Sequence, residues 1–129
     1  MSETRELDKE GLQYLRWSQF DSPDNPGSGY RFMERDTVLI LDMVVHKTKM
    51  NLNIILGYVT PKYARLKGMV STDSHRIGKA VRIRILEPKK RGRLVKALHE
   101  LGVKRVAVDH EMVYFDTDNQ KPEMMALWC

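Results

Sequence analysis

Cysteine is nearly absent from this chain of 129 residues, whose one cysteine, Cys129, is the last residue. An intramolecular disulfide and a cysteine-based zinc cluster are therefore both excluded. Long apolar runs are missing as well. The longest, residues 37–45, is interrupted by Asp42, whereas a helix that crosses a bilayer needs about 20 apolar residues. The sequence therefore predicts no membrane span, and the polar residues 1–6 lack the apolar core of a signal peptide.

Common catalytic and phosphate-binding motifs are also missing. The sequence has no glycine-rich phosphate loop and no CxxC, HExxH or GxSxG motif. Apolar residues nevertheless make up 42% of the chain and charged residues 30%, which is the balance of a globular protein rather than a disordered one. We therefore expect one domain with a core of its own.

Positive charge is concentrated in one part of the chain. Residues 76–105 carry eleven lysines and arginines against two acids, a net charge of +9, while the rest of the chain carries −4. Charge runs usually mark solvated faces, but nucleic acid is the first partner that such a segment suggests. No aromatic residue that could stack on a base lies within it. Its densest part is a candidate contact surface, called the basic surface below, made of Lys89, Lys90, Arg91, Arg93 and Lys96.

The hydrophobic pattern predicts an α+β fold, a small antiparallel sheet with helices packed against it. Helices are predicted over residues 1–17, 34–49 and 88–101. Strands are predicted over residues 52–58, 79–86, 103–109 and 112–116. Residues 21–29 and 60–74 are typical of connections. Residues 117–129 are predicted to be a short tail whose apolar end packs on the body or on a partner.

Four segments, in this order, resemble a known family: LGYVTPKY at residues 56–63, SHRIGKAVRI at 74–83, LGV at 101–103 and MVYFD at 112–116. They look like the zinc D-alanyl-D-alanine carboxypeptidases and L-alanyl-D-glutamate endopeptidases, peptidoglycan-cutting enzymes of the Hedgehog/DD-peptidase fold. In that family a strand ends in SGYR, a segment SxHxxGxAxDI follows, and a final strand carries D/E-x-x-H-x-D. The block from His75 to Ile83 is the most specific part of the resemblance.

The resemblance implies a single peptidase-like domain over residues 1–129. Its parts would be an N-terminal helix and loop (1–32), a family-like core (33–118) and a C-terminal tail (119–129).

The zinc site that the resemblance implies is mostly replaced in this chain. His75 stands at the position of the first zinc ligand, but Arg82 replaces the aspartate ligand and Tyr114 the histidine ligand. Glu111 matches the general base, and Val59 replaces a substrate-binding arginine. A catalytic zinc needs three protein ligands and a water, and neither a guanidinium nor a phenol at neutral pH is a good ligand. We therefore expect no catalytic residue and no cofactor, with Glu111 a vestigial base and His75 a vestigial ligand.

Three hypotheses concern the side chains of this site. Arg82 is expected to pair with Glu111, while Tyr114 fills the volume of the missing ligand. His75 is expected to be a buried histidine that hydrogen-bonds Asp73 or the backbone. The alternative is a rearranged metal site made of His75, His110, Asp109 and Glu111.

Several classes of function stay open at this point. The leading hypothesis is a catalytically inactive peptidase-like protein that is a structural or binding component, because small peptidases of this type are common in bacteriophages. Its partners would be other protein subunits of a capsid, tail or baseplate, and its location the virion or the cytoplasm, without a membrane. The alternatives are an active peptidoglycan hydrolase with a rearranged zinc site, a nucleic-acid-binding protein that uses residues 76–105, and a protein that binds stem peptides without cutting them.

Overall fold

A five-stranded sheet forms the centre of the fold. The computed structural model describes residues 11–127, with side chains up to residue 123. Its strands are Asn53–Leu56 (β1), Ala80–Arg84 (β2), Arg105–Val108 (β3), Met112–Asp116 (β4) and Met124–Leu127 (β5). Their order across the sheet is β1-β2-β4-β3-β5. The first four strands in this order pair antiparallel, and β5 pairs parallel with β3.

Four helices are present, two before β1 in the sequence and two after it. They are Ser28–Phe32 (α1), Arg35–Thr48 (α2), Pro61–Leu66 (α3) and Pro88–Glu100 (α4), with 3-10 turns at Trp17–Phe20 and Ser74–Ile77. The predicted α+β class, with an antiparallel sheet and helices packed on it, is confirmed. Within residues 11–127, no helix is long and apolar enough to cross a membrane.

The core lies between the two long helices, α2 and α4, and one face of the sheet. Both helices turn an apolar stripe inward, because their apolar residues recur every three or four positions. The buried members of this core include Val38, Leu41, Leu94, Leu98, Val81, Ile83, Val113 and Phe115. Side chains alternate along a strand, so the residues between these in β2 and β4 point to the opposite face.

That opposite face of the sheet, called the polar face below, positions the candidate site. Its residues on β2 and β4 are Ala80, Arg82, Arg84, Met112, Tyr114 and Asp116. The chain between β1 and β2 covers part of it and buries a second, smaller apolar cluster of Leu56, Val59 and Ala64. Part of the polar face is therefore exposed to solvent, and part is covered by residues 57–78.

The helix predicted over residues 1–17 is wrong in the part that the structure describes. Residues 11–16 are not helical, because the backbone N–H groups of Gln13, Tyr14 and Leu15 donate to the carboxylate of Asp42 on α2 at 2.9–3.0 Å. A helix would need these N–H groups for its own carbonyls. The remainder of this prediction, residues 1–10, lies outside the described residues.

Three segments contain elements that the sequence pattern did not predict. The first is the connection predicted over residues 21–29, which ends inside α1 because that helix begins at Ser28. The long connection of residues 60–74 holds α3, which begins at Pro61 and is capped by the Thr60 hydroxyl accepting from the Tyr63 N–H at 3.0 Å. The tail contributes β5, which extends the sheet beyond β3. Short apolar runs of this kind carry too little periodicity to be assigned to a strand.

Candidate functional site

His75 lies in the segment that covers part of the polar face, where two turns contact each other. One is the Ser74–Ile77 turn, which Asp73 caps by accepting the His75 N–H at 2.9 Å. The other follows β1, where the Val59 N–H donates to the His75 carbonyl at 3.2 Å. Gly57 in that turn can carry no side chain, because a Cβ would overlap the backbone of Phe20. The backbone of His75 is therefore tied on both sides.

The imidazole of His75 is completely buried. Its Nδ1 lies 2.6 Å from the Gly57 carbonyl oxygen, and since a carbonyl only accepts, Nδ1 carries the proton and donates. The expectation of a buried histidine that hydrogen-bonds Asp73 or the backbone is confirmed, since the ring bonds the backbone of Gly57 and Asp73 accepts the backbone N–H of His75. In the neutral ring Nε2 is then an acceptor, and it has no hydrogen-bond partner among the described residues.

The protonation of His75 follows from its surroundings. Burial lowers the pKa of its imidazole, and the charge of Arg82 acts in the same direction. The hydrogen bond to Gly57 and the carboxylates of Asp73 and Asp116 oppose this shift without reversing it. At neutral pH the ring is therefore neutral.

Arg82 and Tyr114 lie directly opposite each other on β2 and β4. Directly opposed residues on one face bring their Cβ atoms within about 5 Å. The Tyr114 ring meets the His75 ring edge-on, with ring centroids 5.6 Å apart. The structure thus brings together the three positions at which the resemblance places zinc ligands.

Tyr114 is tied to a buried carboxylate. Its hydroxyl donates to Asp116 Oδ2 at 2.5 Å, and burial, together with this bond and the charge of Asp116, raises the pKa of the phenol well above its usual value. The phenol is thus protonated throughout the physiological range. A protonated phenol is not a ligand for zinc.

A buried ion pair supports this side of the site. Asp116 Oδ1 accepts from Arg105 Nε at 2.8 Å, and the two side chains are 0% and 13% exposed. Beside it, Asp118 Oδ2 accepts from the Ser74 hydroxyl at 3.0 Å, which links the loop after β4 to the turn that carries His75. Sequence reasoning missed this network, although Asp116 lies two residues after Tyr114 and so on the same face of β4.

The predicted pairing of Arg82 with Glu111 is wrong. Glu111 instead pairs with Arg84, Nη2 to Oε2 at 3.6 Å, because β2 and β4 run antiparallel with Arg84 opposite Met112. That register places Glu111 near the end of β2, beyond Arg84. Arg82 has no ion pair within the described part of the chain.

The described residues do not fit a catalytic zinc. No group of three or more His, Cys, Asp or Glu side chains in residues 11–127 could hold a metal, and His75 Nε2 is a single nitrogen where three ligands are required. The alternative ligands, which are His75, His110, Asp109 and Glu111, form no such group among the described residues either. Asp109 there accepts the N–H groups of Glu111 and Met112 at 2.9 and 2.7 Å, which closes the β3–β4 turn.

The basic surface lies on α4, and three of its side chains also contact other residues of the protein. Arg91 donates to the carbonyls of Ile85 and Leu86 at 2.8 and 2.9 Å. Arg93 donates to the Thr48 carbonyl at the end of α2 at 2.9 Å. Lys90 pairs with Glu87, its neighbour on the same helix, at 3.1 Å. Lys89 and Lys96 are exposed and form no ion pair within the part of the chain that the structure describes.

Comparisons with known proteins add no relative. No protein-family model matches the chain, and neither the curated proteins nor the solved structures gave a significant match.

Acidification is expected to destabilise the protein through His75. Its folded-state pKa is depressed by burial, so the unfolded chain takes up a proton first, near pH 6.5. The stabilising contribution is complete above that pH and is lost as the pH falls toward the folded-state pKa, by at most about 1.4 kcal/mol per pH unit. Urea unfolding between pH 7.5 and 5 measures it.

Two matched variants distinguish the contribution of His75 to the pH dependence of stability from that of the carboxylates. His75→Gln should flatten the pH dependence, whereas the same change at the exposed His99 should leave it as in the parent protein. Parallel pH profiles for His75→Gln and the parent would contradict a neutral buried His75.

Proposed function

We propose that this protein is a catalytically inactive relative of the zinc peptidoglycan peptidases of the Hedgehog/DD-peptidase fold, and that it works by binding. In this proposal it is a structural or recognition component of a larger assembly, of which a bacteriophage particle is the kind that the resemblance favours. The four antiparallel strands of the five-stranded sheet, with α2 and α4 on one face, are compatible with such a fold.

One observation carries this proposal. His75 and Arg82 lie seven residues apart and Tyr114 lies in a later strand, and the three meet at one place on the polar face. The resemblance, which rests on four sequence segments, requires its three ligand positions to meet in this way. What occupies two of these positions is a permanent cation and a protonated phenol, which supports a site that has lost its metal and kept its shape.

Rebuilding the zinc ligands tests the relationship directly. The double variant Arg82→Asp/Tyr114→His is expected to bind about one zinc ion per chain and to be stabilised by added zinc, since a ligand that binds the folded state raises its stability. The parent protein should bind no stoichiometric zinc. Metal analysis after dialysis and thermal unfolding with and without zinc are the measurements.

The next pair of residues on the same face of β2 and β4 provides a matched control. Arg84 and Met112 are also directly opposed on β2 and β4, so Arg84→Asp/Met112→His introduces the same two side chains away from His75. Equal zinc binding by both double variants would contradict the inherited site. Stoichiometric zinc in the parent protein would contradict the loss of the metal.

The absence of catalysis is tested on the natural substrate class of the related enzymes. Purified protein should clear no peptidoglycan in a zymogram, with or without added zinc. Clearing that a chelator abolishes would establish the active-hydrolase alternative. For the role in an assembly, capsid and tail genes next to the gene for this chain are the expected observation.

A further inference from the structure

A stripe of positive charge runs along the outer side of α4. It consists of Lys89, Arg93 and Lys96, which recur every three or four positions and so share one side of the helix over about 10 Å of its axis. This set is called the cationic stripe below. All three residues are exposed, whereas the apolar side of the same helix is buried in the core.

Helix stability does not explain the first of these cations. The N-terminus of a helix carries a partial positive charge, so acids are favoured in its first turn and cations are unfavourable there. The first turn of α4 nevertheless contains Lys89 and Lys90 and no acid. Glu87 pairs with Lys90 at 3.1 Å, but Lys89 forms no ion pair among the described residues. A local cost of this kind is expected at functional sites.

The end of α2 extends this surface and adds an aromatic side chain to it. Arg93 Nη2 donates to the Thr48 carbonyl at 2.9 Å. The next residue, Lys49, lies with its Nζ 5.0 Å from the centre of the Tyr14 ring and donates to the Tyr14 hydroxyl at 3.1 Å. Tyr14 is nevertheless 43% exposed, and its N–H donates to the Asp42 carboxylate at 3.0 Å. The fold thus supplies the aromatic ring that the basic segment of the sequence lacks.

We propose that this surface binds single-stranded nucleic acid, with the cationic stripe contacting phosphates and Tyr14 stacking on a base. Proteins that bind single strands combine cations that follow the backbone with aromatic side chains on which bases stack. Glu100 lies at the end of the stripe, but it accepts from Lys47 Nζ at 3.0 Å, so its charge is compensated. The proposal goes beyond the proposed function, because α2 and α4 lie on the side of the sheet opposite the candidate site.

The tyrosine favours a single strand over other polyanions. An acidic protein offers carboxylates to the cations but no base to the ring. A duplex offers phosphates at high density, but its bases are stacked inside the helix. Only unpaired bases use both parts of the surface, and stacking of one base on an aromatic side chain contributes about 1–3 kcal/mol.

Binding of a fluorescent oligothymidylate of about 12 nucleotides tests the proposal by fluorescence anisotropy. The logarithm of the association constant is expected to fall with the logarithm of the salt concentration with a slope of about −2, since each of three phosphate contacts contributes about −0.7. Absence of binding, or a constant that hardly changes between about 50 and 200 mM salt, would overturn the proposal. Equally tight binding of polyglutamate of the same length would indicate an acidic protein partner and would overturn it as well.

Matched pairs of charge removals locate the phosphate contacts. Lys89→Gln/Lys96→Gln should weaken binding about tenfold at physiological salt and bring the slope to about −0.7. Lys62→Gln/Arg65→Gln removes the same charge from exposed positions on α3 and should change binding little. Equal losses in the two double variants would indicate a general effect of net charge and would contradict the assignment. Lys89→Gln alone should not lower the melting temperature, since it relieves an unfavourable charge at the helix N-terminus.

Two substitutions at Tyr14 test the stacking contact. Tyr14→Leu should weaken binding of the single strand at least about fivefold, and it should leave binding of a duplex of the same length unchanged. Tyr14→Phe keeps the ring and loses only the hydroxyl, so it should bind the single strand as the parent protein does. Equal effects of Tyr14→Leu on the single strand and the duplex, or no effect on either, would contradict stacking on an unpaired base.

Discussion

Arg105→Met is expected to lower the free energy of unfolding by about 3–5 kcal/mol, because it leaves the buried carboxylate of Asp116 without its cation. The Asp116 side chain is fully buried and that of Arg105 nearly so. Methionine keeps most of the apolar stem, so the loss reports the unpaired charge rather than a cavity. Chemical unfolding at neutral pH measures it.

An exposed ion pair provides the control for this variant. Lys47 on α2 and Glu100 on α4 lie 3.0 Å apart, with nearly half of each side chain exposed, and Lys47→Met should cost less than about 1 kcal/mol. The double variant Arg105→Met/Asp116→Asn should recover part of the loss, since it removes the stranded charge. A loss in Arg105→Met no larger than that in Lys47→Met would show that water or a neighbour replaces the guanidinium.

The same ion pair shows why composition misleads about Arg105. In the sequence it is one of eleven cations in a segment of net charge +9, and such runs usually lie at the surface. In the fold it begins β3 opposite Asp116, and its charge is internal. A count of charges along the chain says nothing about how the strands pair. The pairing register decides which side chains of neighbouring strands meet.

Strand register also explains which part of the site could be predicted. Helix α2, the end of α4 before Gly102 and the alternation in β2 and β4 follow from local pattern, and they place Arg82 and Tyr114 on faces away from the core. Local pattern does not show which acidic side chain pairs with which arginine. The pairing of Glu111 with Arg84 rather than Arg82 depends on the antiparallel register, and a shift of two residues keeps every apolar side chain inward.

Non-local hydrogen bonds account for the remaining errors of sequence reasoning. The N-terminal segment has a weak apolar stripe, but Asp42, 27 residues or more away, takes three of its N–H groups. Similarly, β5 gains its strand conformation from pairing with β3. In both cases the partner lies in a distant part of the chain, so no window of residues could reveal it.

Gly78→Ala is expected to destabilise the protein by about 3 kcal/mol or more and to displace His75. Gly78 ends the Ser74–Ile77 turn with φ +72°, a left-handed conformation that costs other residues about 1–2 kcal/mol. A Cβ there would also overlap the carbonyl oxygen of Phe32, and neither backbone can yield freely. Gly78 accepts the Glu34 N–H at 2.8 Å and donates to the His75 carbonyl at 3.3 Å. Relief of the overlap therefore moves the turn that carries the imidazole.

Gly68→Ala separates the overlap from the backbone strain. Gly68 has nearly the same φ, +66°, but a Cβ there would meet nothing within 4 Å, so its loss should be about 1–2 kcal/mol. Thermal unfolding of both variants gives the difference, and the His75 ring signals should shift only in Gly78→Ala as the hydrogen bond to Gly57 weakens. Equal losses in the two variants, or an unchanged imidazole signal, would mean that the α1 end moves aside and that Gly78 does not position the site.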